Sequence, residues 1–220
     1  WPYGYNSFHF DITKYLKPGE KNTLAVRLEN LPESSRWYPG AGLYRNVHLI
    51  ITEDAYIPVW GTYITTPSVN EKFAKVNVRT KVVLPEGADP AKYSVETSVW
   101  NPNKQKLTAV RTSLAQMKYN NNQAEQEFVI QAPSLWSPEM PALYSAETRL
   151  YEGDKLKDIY TTPFGIRSIE IIPDKGFFLN GKRTVFKGVC NHHDLGPLGA
   201  AVNDAAIPVS YTHLTLPTIA

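Results

Sequence analysis

Apolar and polar residues alternate with a period of two along most of this chain. Phe8, Phe10 and Ile12 stand between polar neighbours, and so do Leu24, Val26 and Leu28, with a Lys17-Pro18-Gly19-Glu20 turn between the two sets. Val47, Leu49 and Ile51 repeat the pattern. Alternation of this kind predicts strands with one buried face, so three strands are expected before residue 54. A second block follows Pro67. Val76, Val78 and Val82 alternate, then Tyr93, Val95, Thr97 and Val99, across a Pro85-Glu86-Gly87 turn. Phe128 and Ile130, then Tyr144 to Leu150, then Ile159 continue it. About seven short strands spaced by roughly ten residues predict an antiparallel sandwich of immunoglobulin type. The polar stretch from Lys118 to Glu127, centred on Asn120-Asn121-Asn122, reads as a solvated loop.

The third block begins near Phe164. Asn180-Gly181 separates Gly176-Phe177-Phe178-Leu179 from Lys182-Arg183-Thr184-Val185-Phe186. A type I′ turn needs positive φ at both central residues, which makes Asn-Gly between β-prone runs a strong hairpin signal. An apolar run from Phe186 to Cys190 follows and ends in Asn191-His192-His193-Asp194. A strand that ends in an ionisable cluster fits a barrel or α/β strand opening onto a site. No helical period holds over ten residues before residue 190, and the composition agrees: 13 Tyr, 5 Trp and 8 Phe beside 17 Pro and 13 Gly. Aromatics favour pleated surfaces, and Pro and Gly favour turns.

Charge and cysteine narrow the functional classes. With 23 Lys+Arg against 21 Asp+Glu the net charge is +2, which gives no electrostatic footprint for nucleic acid or an anionic membrane. No apolar run approaches the roughly 20 residues that span a bilayer. The single cysteine, Cys190, excludes an internal disulfide and a Cys-rich zinc site. With no paired base identifiable, it reads as a small buried hydrophobe rather than a nucleophile. The 220 residues allow one large domain or two ordinary ones, and the chain opens at Trp1 in what reads as mid-domain.

Four motifs, taken together, resemble glycoside hydrolase family 2, the family of β-galactosidases and β-glucuronidases. Ser35-Arg36-Trp37-Tyr38-Pro39-Gly40-Ala41-Gly42-Leu43-Tyr44-Arg45 resembles the segment closing its jelly-roll domain. Leu135-Trp136-Ser137-Pro138-Glu139 with Pro141-Ala142-Leu143-Tyr144 resembles a motif of its immunoglobulin-like domain. Phe164-Gly165-Ile166-Arg167 and Gly176 to Lys182 resemble its approach to the catalytic barrel, and Lys187 to Asp194 the first barrel strand and its loop. The resemblance implies a mostly β fold: a partial jelly-roll sandwich over 1–53, an immunoglobulin-like β-sandwich over 54–163, and over 164–206 the opening hairpin and first strand of a (β/α)8 barrel. Residues 207–220 depart from the family and resemble a non-native tail translated from adapter sequence. On this layout the sandwich is expected to fold alone, with 1–53 and 164–206 loosely held.

The family hydrolyses β-glycosides with retention through two carboxylic acids about 5–5.5 Å apart. Both are glutamates on later barrel strands, and the acid/base follows an asparagine. The one Asn-Glu pair here, Asn70-Glu71, falls in the sandwich and is rejected as catalytic. The resemblance therefore implies a fragment of a retaining exo-β-glycosidase, β-galactosidase first, that carries no catalytic residue and is itself inactive. A β-glucuronidase or β-mannosidase parent, a non-catalytic carbohydrate-binding β-sandwich protein and an adhesive immunoglobulin-like protein stand as alternatives. For substrate binding it offers His192, His193 and Asp194, of which His192 matches best and Asp194 fits a glucuronidase-like variant. Imidazole and carboxylate suit sugar hydroxyls because they satisfy hydrogen bonds that a sugar site leaves costly when unmade. Arg36 and Trp37 stand where the jelly-roll loop approaches the barrel mouth, the arginine for hydroxyls or a carboxylate and the tryptophan for a sugar ring. Against this, Trp37 also fits a buried core aromatic and Arg36 a surface ion pair. Two adjacent histidines and an aspartate are not a tetrahedral metal set, so neither metal nor cofactor is expected. The expected partner is a β-galactoside-like carbohydrate. Homo-oligomerisation of the parent and its compartment, periplasmic or cytoplasmic, stay open.

Overall fold

The computed structural model describes residues 6–33, 42–43, 45–115, 123–188 and 203–207. Two compact units divide the chain: residues 50–185 form one, and residues 1–49 with 186–220 the other. Among the described residues the chain is all-β with almost no helix.

Ten strands lie in the first unit: β1 (Thr62–Val69), β2 (Phe73–Lys81), β3 (Tyr93–Trp100), β4 (Lys106–Ser113), β5 (Gln123–Gln131), β6 (Tyr144–Glu152), β7 (Lys155–Phe164), β8 (Ile169–Ile172), β9 (Gly176–Leu179) and β10 (Lys182–Arg183). The first seven make a two-layer sandwich, a three-stranded sheet ordered β1-β2-β5 against a four-stranded sheet ordered β4-β3-β6-β7, with every pairing antiparallel. This is the immunoglobulin-like arrangement with the fourth strand beside the third rather than the fifth.

The sandwich begins earlier than the block expected after Pro67. β1 runs through Pro67, whose missing N–H is tolerated because β1 is an edge strand and its register with β2 shifts between Thr65 and Ser68. Pro163 lies in β7, the edge of the other sheet. β5 likewise begins inside the stretch read as a loop, of which 118–122 lie outside the described residues. Its burial alternates strictly, but Gln126 points inward, so the apolar signal that would have marked the strand is broken.

Inward residues form two apolar clusters. Val76, Val78, Val99, Phe128, Ile130, Tyr144 and Ala146 anchor the first; Val82, Tyr93, Val95, Ala124 and Leu150 anchor the second. Between them, four strands, two from each sheet, place a buried polar side chain: Thr80 on β2, Gln126 on β5, Thr97 on β3 and Thr148 on β6. Thr97 and Thr148 oppose each other, with hydroxyl oxygens 3.4 Å apart. Gln126 crosses the interior, its Nε2 donating to the carbonyls of Val95 at 3.2 Å and Val110 at 3.0 Å. The second of these bonds ties edge strand β4 to the facing sheet.

The segment before β1 is fastened to both sheets. Tyr56 and Val83 exchange backbone hydrogen bonds at 3.0 and 2.9 Å, and the Ile57 amide donates to Asp158 Oδ2 at 2.8 Å. Lys157, with its side chain only 7% exposed, sets its ammonium 2.5 Å from Glu53 and 3.3 Å from Asp54, with Glu152 at 3.7 Å. Hydrogen bonding to Glu53 comes first in holding the ammonium's pKa well above its ordinary value, and hydrogen bonding to Lys157 holds both carboxyls below theirs.

In the other unit the Lys17–Glu20 turn forms as expected. Glu20 N donates to Lys17 O at 3.2 Å, and the Asn22 side chain bridges the Lys17 amide and carbonyl. The three alternating segments are not strands: Phe10, Leu24, Val26 and Val47 to Leu49 in this unit, and Ile50 and Ile51 at the start of the other, are exposed and no ladder includes them. His9 and His48, expected on strands, share this state. Alternation marks a face that can be buried, but a strand exists only when a neighbour completes its hydrogen bonds. The described part of the apolar run at 186–190, residues 186–188, is likewise outside any strand, and Phe186 is 74% exposed.

Two outcomes follow for stability. Thr97→Val or Thr148→Val alone leaves a buried hydroxyl without its partner and costs about 1–3 kcal/mol, while the double variant returns to within about 1 kcal/mol of the parent, read by denaturant unfolding of all four chains. The carboxylates of Glu53 and Asp54 have lowered folded-state pKa values, so their contribution is present above about pH 4 and is lost as pH falls through those lowered values. Lys157→Met therefore flattens the acid limb of a melting-temperature profile; an unchanged limb counts against the clasp.

Candidate functional site

All five residues expected to bind substrate, Arg36, Trp37, His192, His193 and Asp194, lie outside the described residues, as does Cys190. Asn70, the asparagine of the rejected Asn-Glu pair, has a turn role. Its Oδ1 accepts from the amides of Lys72 at 2.8 Å and Phe73 at 2.9 Å, closing the β1–β2 hairpin.

What the structure does bring together is two of the four sequence motifs, in three segments. The Leu135–Glu139 segment, the Phe164–Arg167 segment and the Asn180-Gly181 turn meet at one joint beyond β7. Trp136 N donates to Ile166 O at 2.8 Å, and Ile166 is wholly buried in the first apolar cluster. Gly165 lies flat against the indole: a Cβ there would come within 3.0 Å of Trp136 Cβ and Cγ. The Arg167 guanidinium covers the same ring at 4.5 Å from its centroid, and the Arg167 carbonyl accepts from Thr66 Oγ1 at 3.0 Å. Trp136 is thus in contact with both a glycine and an arginine.

Asn180 completes the joint. The turn has φ 50° at Asn180 and 75° at Gly181, as a type I′ hairpin demands. With its backbone so placed, the side chain reaches away from the turn. Nδ2 donates to Trp136 O at 3.0 Å, and Oδ1 accepts from Ser168 N at 3.0 Å, while Asn180 N donates to Ser168 O at 3.0 Å. A single amide therefore ties the β8–β9–β10 sheet to the loop between β5 and β6. Residues 164–183, expected to be loosely held, are instead packed onto the sandwich, because Ile166 and Leu179 bury their side chains and these bonds close the seam. The hairpin was legible in the sequence; the second use of its asparagine was not, since no local pattern marks a side chain that bonds 44 residues away.

A depression of about 430 Å³ at one end of the sandwich is lined by Asn101, Asn103, Leu107, Gln131, Met140 and Tyr144. Its central polar groups are already engaged in local structure. Asn101 Oδ1 accepts from the amides of Asn103 and Gln105, and Tyr144 Oη accepts from Ser134 N at 2.8 Å. Nearby, the Glu139 carboxyl is held below its ordinary pKa by its own backbone amide and by the Ser137 hydroxyl. Asn101 and Tyr144 thus commit these oxygens to local structure rather than to a ligand. No group of three or more His, Cys, Asp or Glu side chains among the described residues is placed to hold a metal.

Gly165→Ala tests the joint. The added methyl pushes on Trp136 in a position where backbone on both sides is already bonded, and overpacking of this kind costs about 1–3 kcal/mol. A lower urea midpoint with altered tryptophan emission is the expected result.

Comparison with known proteins agrees with this arrangement. The family model of glycosyl hydrolases family 2 matches residues 56–167, about half of the chain. A β-galactosidase of Bacteroides ovatus is 42% identical over 207 residues, covering 94% of this chain and 24% of its own length. A putative β-glucuronidase of Formosa agariphila is 39% identical, covering 91% of this chain and 18% of its own. Among solved structures, a family 2 member from Bacteroides cellulosilyticus superposes with a TM-score of 0.82 at 35% identity, over 97% of this chain and 29% of the other. The chain thus spans about a quarter of the length of the relatives it matches. On the strength of the matched sandwich and its closing motifs, this chain belongs to glycosyl hydrolases family 2.

Proposed function

We propose that this chain is part of a retaining exo-β-glycosidase that releases terminal β-galactosyl residues. The observation that carries the reading is the 42% identity to a β-galactosidase across 94% of the chain. The layout that goes with it has residues 1–53 closing a sugar-binding jelly roll, 54–163 the immunoglobulin-like sandwich and 164–206 the start of a (β/α)8 barrel, with 207–220 non-native. In this reading both catalytic glutamates belong to barrel strands beyond these residues, so the chain alone does not hydrolyse glycosides. Its contribution to the site is recognition. His192 hydrogen-bonds a sugar hydroxyl, with His193 and Asp194 in the same loop, while Arg36 and Trp37 supply a guanidinium and a stacking face at the rim. A sugar hydroxyl that meets its partner only in the right orientation contributes to selectivity, because the wrong sugar leaves the protein group unpaired.

A second reading is a β-glucuronidase. Relatives of that description are 39% and 34% identical over some nine-tenths of this chain, and Asp194 fits a glucuronidase-like loop.

The decisive experiment reads the source DNA across the codons for Ala206 and Ile207 and assays the encoded protein on aryl β-galactoside and β-glucuronide. Continuation into barrel strands with an Asn-Glu pair and a later glutamate, with kcat/KM favouring the galactoside, is expected. His192→Ala then lowers kcat/KM by about 10- to 100-fold, the range for losing a hydrogen bond to a sugar hydroxyl worth roughly 1.5–3 kcal/mol. Preference for the glucuronide transfers the assignment to the second reading. A native stop after the tail leaves a carbohydrate-binding module in place of an enzyme.

A further inference from the structure

We propose that Asn180-Gly181 is a deamidation site gated by the Trp136 joint, so that opening of the joint and chemical loss of the amide drive each other. In an Asn-Gly sequence the backbone nitrogen of the glycine is unhindered and attacks the asparagine Cγ. A bond forms between Gly181 N and Asn180 Cγ, the Cγ–Nδ2 bond breaks, and ammonia leaves with the proton taken from the Gly181 amide. Water then opens the cyclic imide at either carbonyl, giving aspartate or isoaspartate. The net change is hydrolysis of one amide, with no redox partner.

Both requirements for a gate are present. Gly181 is exposed, nothing lies within 4 Å of the position a Cβ would take there, and a glycine has no side chain of its own to hinder its nitrogen. The other reacting atom is held. Asn180 Nδ2 donates to Trp136 O and Oδ1 accepts from Ser168 N, each at 3.0 Å, so Cγ cannot turn toward Gly181 N without both bonds breaking. Attack therefore waits for a local opening, whose population sets the rate.

The product acts back on the joint. An aspartate at position 180 keeps an acceptor for Ser168 N but has no donor for Trp136 O. It places a carboxylate against that carbonyl, and the repulsion pushes the hairpin off the β5–β6 loop. An isoaspartate adds a backbone methylene and loses the turn geometry altogether. One slow chemical event thus unlatches the β8–β9–β10 sheet, and it does so without proteolysis or a bound effector.

The test uses the full chain in mildly alkaline buffer, folded and in denaturant, with tryptic mapping of the Gly176–Lys182 peptide for a gain of about one dalton. The folded chain is expected to deamidate at Asn180 at least about tenfold more slowly than the denatured chain, in line with an opening that is a minor population. Gly165→Ala, which strains the joint from the other side, raises the folded rate. Equal rates in folded and denatured chain overturn the gate. In Asn180→Asp, hydrogen exchange at the Ser168 and Asn180 amides is expected to lose protection while β2, β3, β5 and β6 keep theirs. Unchanged protection at Ser168 and Asn180 overturns the return arm. Should that variant fail to fold, the rate comparison on the parent chain still decides.

Discussion

Closure of two small sheets over one interior is the constraint behind residues 50–185. Neither the three-stranded nor the four-stranded layer buries its inner face alone, and each apolar cluster draws side chains from both. The interior is not uniform. Where Gln126, Thr97 and Thr148 cross it, dispersion and area burial give way to hydrogen bonds that need particular partners. Apolar contacts tolerate sliding, whereas the Gln126 amide finds the Val95 and Val110 carbonyls at one relative position of the layers only. The polar belt thus fixes the register that the two clusters alone leave free, at some expense in stability.

Everything downstream inherits that register. The backbone after β7 returns to the sandwich because Ile166 fills a place in the first cluster, and this brings Gly165 against Trp136. Only then can Asn180 reach the Trp136 carbonyl. The order of dependence runs from inter-sheet packing to the return of the chain to the hairpin. The segment that bears the proposed recognition loop is next in sequence.

The sequence was readable where local pattern and tertiary outcome agree. Val76 and Val78, and Tyr93 to Val99, alternate on strands that have a neighbour on each side. Asn180-Gly181 carries its turn in its own stereochemistry. It misled where pairing depends on a neighbour, as with Phe8 to Ile12 and Leu24 to Leu28, which have the period of a strand and no ladder among the described residues. β5 was hidden for the opposite reason, since an inward glutamine looks like loop. Of the candidate site, the family motifs were legible. Trp136, Gly165 and Asn180 lie in separate segments of the sequence, and their convergence is a property of the fold that no one segment contains.

The two prolines at the sheet margins reach beyond geometry. β1 and β7 lie at the same side of the sandwich, where the hydroxyls of Thr62 and Thr162 bridge the layers, and each strand includes a proline, Pro67 in one and Pro163 in the other. A proline offers no amide to an incoming strand, so neither margin presents an unbroken row of donors and acceptors. A sandwich exposed on this flank during synthesis, before its neighbours are in place, is thereby a poor template for sheet growth with a second chain.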